Sequence, residues 1–200
     1  MEYFQTVCTT LVGMQEDPQG CLLWATAMGN LVELKAPSWN GASNLDAPSL
    51  HLAASALERG HAAIAGDAPS YERAHLLASR AECAGLVCES LTDNWTAAMP
   101  WAASAAQLWE ETLAEELAAQ AANQYTPEAS VETLCSLGSA SMVFGKLVLT
   151  CGTEALDAKT RRAAQAAVKR ALDAFEEASC LCDSSYRLSG LELGTCRPVG

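Results

Sequence analysis

Aromatic residues make up only 6% of this 200-residue chain, so a core built from bulky rings is excluded. Long β-branched runs are missing as well, and no stretch sustains a period-two alternation of apolar and polar side chains, which leaves no strand signal. Positive charge is scarce: 12 Lys and Arg stand against 24 Asp and Glu, a formal net charge of −12. Phosphate backbones repel such a chain, so neither nucleic acid nor an anionic membrane is an expected partner. No uncharged apolar run approaches the roughly 20 residues that span a bilayer. Met1-Glu2-Tyr3-Phe4 has neither the basic n-region nor the apolar h-region of a secretory signal, and an intracellular, cytoplasmic location is expected.

Recognisable catalytic grammar is lacking too. No glycine-rich phosphate loop follows a strand, and no Gly-x-Ser-x-Gly occurs. Cys180-x-Cys182 and the wider pair Cys83 and Cys88 do not have the paired spacing of zinc sites. The nine cysteines are an odd number, mostly in apolar helical context, where a free thiol behaves as a small hydrophobe. They are read as reduced. Asn94-Trp95-Thr96 matches a glycosylation acceptor by chance in a chain read as intracellular. No enzymatic activity and no cofactor are expected.

What is abundant is alanine, 38 residues of it in a chain that is half apolar. Alanine is the best helix former and lets helices approach closely. The chain is therefore expected to be all-α, one helical domain over residues 1–200, with seven or eight helices in antiparallel hairpins as a short α-solenoid or helical bundle. Pro48, Pro69, Pro100 and Pro127 each precede a run of good helix formers, and proline suits the first helical turn. Asp46, Asp67 and Thr126 stand ahead of three of them as capping candidates. Helices are predicted at Glu2–Met14, Gln19–Leu34, Pro48–Ala65, Pro69–Leu91, Pro100–Asn123, Pro127–Thr150 and Leu156–Cys182, with a short one near Ser185–Leu193.

Helical periodicity divides the faces of two of these. In the helix after Pro100, Trp101, Ala105, Leu108, Trp109 and Thr112 share an apolar arc, with Glu110, Glu111 and Glu115 off it and Glu116 inside it. A carboxylate in that position is expected to be rescued by a neighbour or by the helix edge rather than to be functional. In the helix after Leu156, Ala164, Val168, Ala171, Leu172 and Phe175 form the apolar face. Lys159, Arg162, Lys169 and Arg170 line the other side, although residues 1–145 carry only 4 basic groups against 17 acidic ones. That basic stripe is the candidate partner-binding surface, suited to an acidic segment of another protein or to the acidic part of a neighbouring copy.

Leu134, Leu137, Gly138 and Gly145, followed by Ala171, Phe175 and Ala178, resemble the two helices of a tetratricopeptide repeat. Ser141 stands where that family prefers a large aromatic residue, and about twenty extra residues separate the half-motifs. The resemblance covers about a quarter of the chain. It implies a helical-hairpin scaffold or adaptor that binds other proteins, as a subunit of a larger assembly. Phe144-Gly145-Lys146-Leu147-Val148 is also similar to the central-helix motif of Bcl-2-like proteins, which would imply binding of an amphipathic death-motif helix. A third reading rests on Glu58-x-x-His61 and Glu72-x-x-His75. Such pairs share a helix face and supply half the ligands of di-iron bundles, with Glu111, Glu115 or Glu116 as the remaining donors.

Overall fold

A computed structural model describes residues 18–35, 47–64, 66, 68–91, 93–123, 129–150 and 157–193, with side chains up to 182 in the last segment. Among the described residues there are six helices and no strand: α1 (Pro18–Lys35), α2 (Ala47–Ala63), α3 (Tyr71–Ser90), α4 (Trp95–Ala122), α5 (Val131–Thr150) and α6 (Ala158–Leu193). The chain is all-α, as its composition demands.

The count differs from seven or eight for two reasons. The helix predicted at Glu2–Met14 lies outside the described residues. The last two predicted helices are one, since α6 runs unbroken through 183–185; Asp and Ser cost a helix only about 0.5 kcal/mol each and neither Gly nor Pro interrupts there.

Helix starts also differ from the proline rule. Pro48 does sit in the first turn of α2, and Pro18 opens α1. Pro100, by contrast, lies inside α4. That helix starts at Asn94, whose side-chain oxygen accepts from the Ala97 N–H at 3.2 Å. The tripeptide that matches a glycosylation signal is thus a helix cap. Pro69 precedes the true cap of α3, Ser70, whose hydroxyl accepts from the Arg73 N–H. Ser130 and Asp157 take the same position before α5 and α6, while Asp46, Asp67, Thr126 and Pro127 lie outside the described residues.

Each helix packs on its neighbours in sequence, and α1 also touches α3. The approach is close because small residues stand at the crossings. A Cβ added to Gly60 would lie 2.1 Å from that of Ala25, and one on Gly29 would lie 2.9 Å from Ser79 Oγ. In the α5/α6 pair, Gly138 lies under the Phe175 ring and Gly145 under Val168, with added carbons at 2.7 and 2.3 Å. The residue order of these pairs, rising along α5 as it falls along α6, makes the two helices antiparallel. Trp24, Met28, Val32, Leu50, Leu57 and Leu76 fill the first core, shared by α1, α2 and α3. Leu77, Leu108, Trp109, Leu113, Leu134, Leu137 and a set of alanines fill the second, between α3, α4, α5 and α6. Trp101 is packed against both and against a third cluster around Phe144 and Val148.

The expected apolar arc of α4 is buried at Ala105, Leu108, Trp109 and Thr112. In α6 the face is rotated from the expected one. Ala164, Ala171, Ala174 and Ala178 point inward, whereas Leu172 is 60% exposed and Phe175 38%. Alanine wins the inner positions because α5 lies too near for leucine. By length and composition alone, α5 is apolar enough to cross a membrane; here one face of it is packed against α4 and α6.

Two glycine substitutions separate necessity from tolerance. Gly60→Ala must push α1 from α2 and is expected to destabilise by about 1–3 kcal/mol. Gly85→Ala in α3 meets nothing within 4 Å and is expected to stabilise by about 0.5–1 kcal/mol. Urea midpoints of the two variants, read against the parent, should move in opposite directions.

Candidate functional site

α3 and α5 do not close on one another. Between them, above α4, run two adjoining hollows of about 720 and 570 Å³ that share Glu82, Trp109 and Glu132. The α3 wall carries Tyr71, Ala74, His75, Ala78, Ala81, Glu82, Gly85 and Glu89, one helical stripe along nearly the whole helix. Ser130, Glu132, Thr133, Cys135, Ser136, Ser139, Ala140 and Val143 form the α5 side, and Ala105, Trp109 and Glu116 come from α4. The surface is small-sided and acidic. Among the described residues four glutamates line the groove and no Lys or Arg does.

Glu116 is the carboxylate that periodicity placed inside the apolar arc, and a neighbour does rescue it. Thr133 Oγ1 donates to its Oε1 at 2.8 Å. Its other oxygen is buried without a hydrogen-bond partner among the described residues. Burial pushes its pKa up; the Thr133 hydrogen bond pulls the other way and the nearby Glu132 charge adds to the rise.

A polar lock holds the α3/α4 pair at one end. Glu115 on α4 accepts from the Ser70 N–H at 2.9 Å and pairs with Arg73 at 3.3 Å, so one carboxylate secures the first turn of α3. Beside it, Arg80 donates to His61 Nδ1 at 3.2 Å, which requires a neutral ring with its proton on Nε2. Burial, then Arg80 and Arg73, lower the His61 pKa. His61 thus lies beside two cations, while His75 lines the α3/α5 groove. The two Glu-x-x-His pairs are not brought together, Glu115 and Glu116 are engaged as described, and among the described residues no three of His, Cys, Asp and Glu gather as a metal site.

The basic stripe is only partly open. Arg170 pairs with Glu110 of α4 at 2.5 Å, and this hydrogen bond, against some burial, raises the pKa of the guanidinium. Lys169 reaches Asp173 one turn on, at 2.9 Å. Lys159 and Arg162 are exposed near the start of α6. Arg170 therefore has a packing role that charge periodicity does not reveal. Cys83 is not an activated thiol: it donates to the Leu50 carbonyl at 3.3 Å, and burial pushes its pKa up to about 12.

The shifts of Glu116 and His61 have signs that can be tested. Glu116 is raised in the fold, so its stabilising contribution is present at low pH and is lost as pH rises through the folded value. Glu116→Gln is expected to raise the urea midpoint at pH 7, with the gain shrinking toward pH 4. His61 is lowered, so its contribution is present above the unfolded value of 6.5 and is lost as pH falls through the folded one. His61→Gln should flatten the stability profile below pH 6.5.

The groove as a surface is not foreseen by the sequence, although His75, Trp109 and Glu116, each singled out in the sequence for another reason, line it. A further trace in the sequence is Gly85, a glycine inside an otherwise strong helix. The residues quoted for the tetratricopeptide resemblance, Leu134, Leu137, Gly138, Ala171, Phe175 and Ala178, lie in the α5/α6 hairpin, and Gly145 of the Bcl-2-like motif meets Val168 there. Compared with known proteins, the chain matches no family model, no curated protein and no solved structure.

Proposed function

We propose that the protein is a non-enzymatic scaffold or adaptor that works by binding other proteins, as a subunit of an intracellular complex. The open groove between α3 and α5 is the observation that carries this reading. An all-α chain whose helices pack mainly on their sequence neighbours forms a row of hairpins, nearer a short solenoid than a closed bundle, and such rows present extended concave surfaces. The groove is shallow, long and lined by small side chains, a shape suited to another chain more than to a small substrate. The Glu115 lock and the Glu116–Thr133 bond beside it join helix to helix, a positioning role that suits a scaffold.

Exposed Lys159, Arg162 and Lys169 offer a second surface, for an acidic segment. It is the weaker of the two because Lys169 is already paired with Asp173 and Arg170 with Glu110. Affinity purification of the intact protein from its native cell tests the reading. Proteins in stoichiometric amount, with no transition metal by elemental analysis, are the expected result. A clean monomer carrying one metal per chain would sink it and return attention to Glu58, His61, Glu72 and His75.

A further inference from the structure

We infer that the α3/α5 groove takes an amphipathic helix of another protein that carries lysine or arginine on one face. This rests on the protein-binding reading above and names the chemistry of the partner. The first argument is charge. Glu82, Glu89, Glu116 and Glu132 line the groove, and among the described residues no lysine or arginine does. A cationic helix complements this acidic lining, above all at exposed Glu89 and Glu132, and the net charge of −12 steers it in from a distance.

The second argument is a glycine with no internal reason. Gly29, Gly60, Gly138 and Gly145 are each required by a neighbour that a methyl group would strike. Gly85 sits inside α3, lines the groove and has open space where its side chain would be. Glycine there weakens the isolated protein and gains nothing within it. It does leave room for an occupant to come against the α3 backbone.

The third argument is the form of the occupant. Both walls are helices whose backbone groups are bonded internally, so an extended peptide would find no ladder partners along them. A helix brings its own backbone bonds. From Tyr71 to Glu89 the α3 stripe extends about 27 Å, which matches roughly five turns. Small walls at Ala78, Ala81, Ser136 and Ala140 leave the larger apolar side chains to the partner, over the Trp109 floor.

The test is fluorescence anisotropy on the full chain with two labelled 18-residue synthetic helices, one with Lys and Arg on its polar face and one with Glu there. The basic helix is expected to bind, the acidic one not, and affinity should fall severalfold between 50 and 300 mM salt. Gly85→Leu changes no charge, and its Cβ enters open space; it should weaken binding at least tenfold while the far-UV spectrum holds and the thermal midpoint does not fall. Glu89→Gln with Glu132→Gln, both exposed, should weaken it similarly. Glu176→Gln with Glu177→Gln removes the same charge from the exposed side of α6 and should leave it unchanged. Equal binding by the Gly85→Leu variant, or an equal loss in the α6 control, would mean diffuse attraction and overturn the inference. Purification from the native cell with parent and Gly85→Leu chains separates the two levels. Partners lost with Gly85→Leu while the basic helix fails would keep the groove as a docking site and overturn its cationic occupant. No partner and no helix bound would overturn both.

Discussion

Close approach between helices is the constraint on which everything else depends. With so few aromatic residues, this chain cannot fill wide gaps between helix axes. It narrows them, placing glycine or alanine wherever two backbones cross: Gly60 on Ala25, Gly29 at Ser79, Gly145 at Val168. Contact between small groups gains little per residue and depends on many atoms at the right distance. Large side chains are used sparingly. Trp24 and Trp109 fill the two main cores, and Trp101 joins them to the third cluster.

Polar groups then decide the ends and the order of the helices. Glu115 binds the first turn of α3, Arg170 fastens α6 to Glu110 of α4, and Asp157 caps α6 by accepting the Thr160 N–H at 2.6 Å. That last cap holds negative charge at a helix start where Lys159, Arg161 and Arg162 would otherwise oppose the helix dipole. The hydrogen bond lowers the Asp157 pKa, so the carboxylate stays ionised where it is needed.

The helices were legible in the sequence because alanine and leucine leave few alternatives, and the arc of α4 was legible because its large residues obey the helical period. What misled was weighting one signal over another. Proline marks a first turn, so Pro100 hides the start that Asn94 provides. Size marks an inner face, so Leu172 obscures Ala174, which is buried because α5 is near. The helical period of α4 marks Glu116 as needing either a neighbour or the helix edge, and it cannot choose between them, since Thr133 belongs to another helix. The groove arises between α3 and α5, which do not follow one another, and local periodicity has no means of expressing it.

Pairing mostly between sequence neighbours has a kinetic side. Contacts between helices that follow one another in sequence cost little chain entropy before they repay it, and such topologies fold quickly. Opening is graded in the same way. α3 is held by α1, α2 and α4, whereas α6 lies at one end of the row, packed chiefly on α5. Amide exchange in α6 can then proceed by local release, while that in α3 waits for the loss of the whole structure. The helix that forms one wall of the groove is the last to let go.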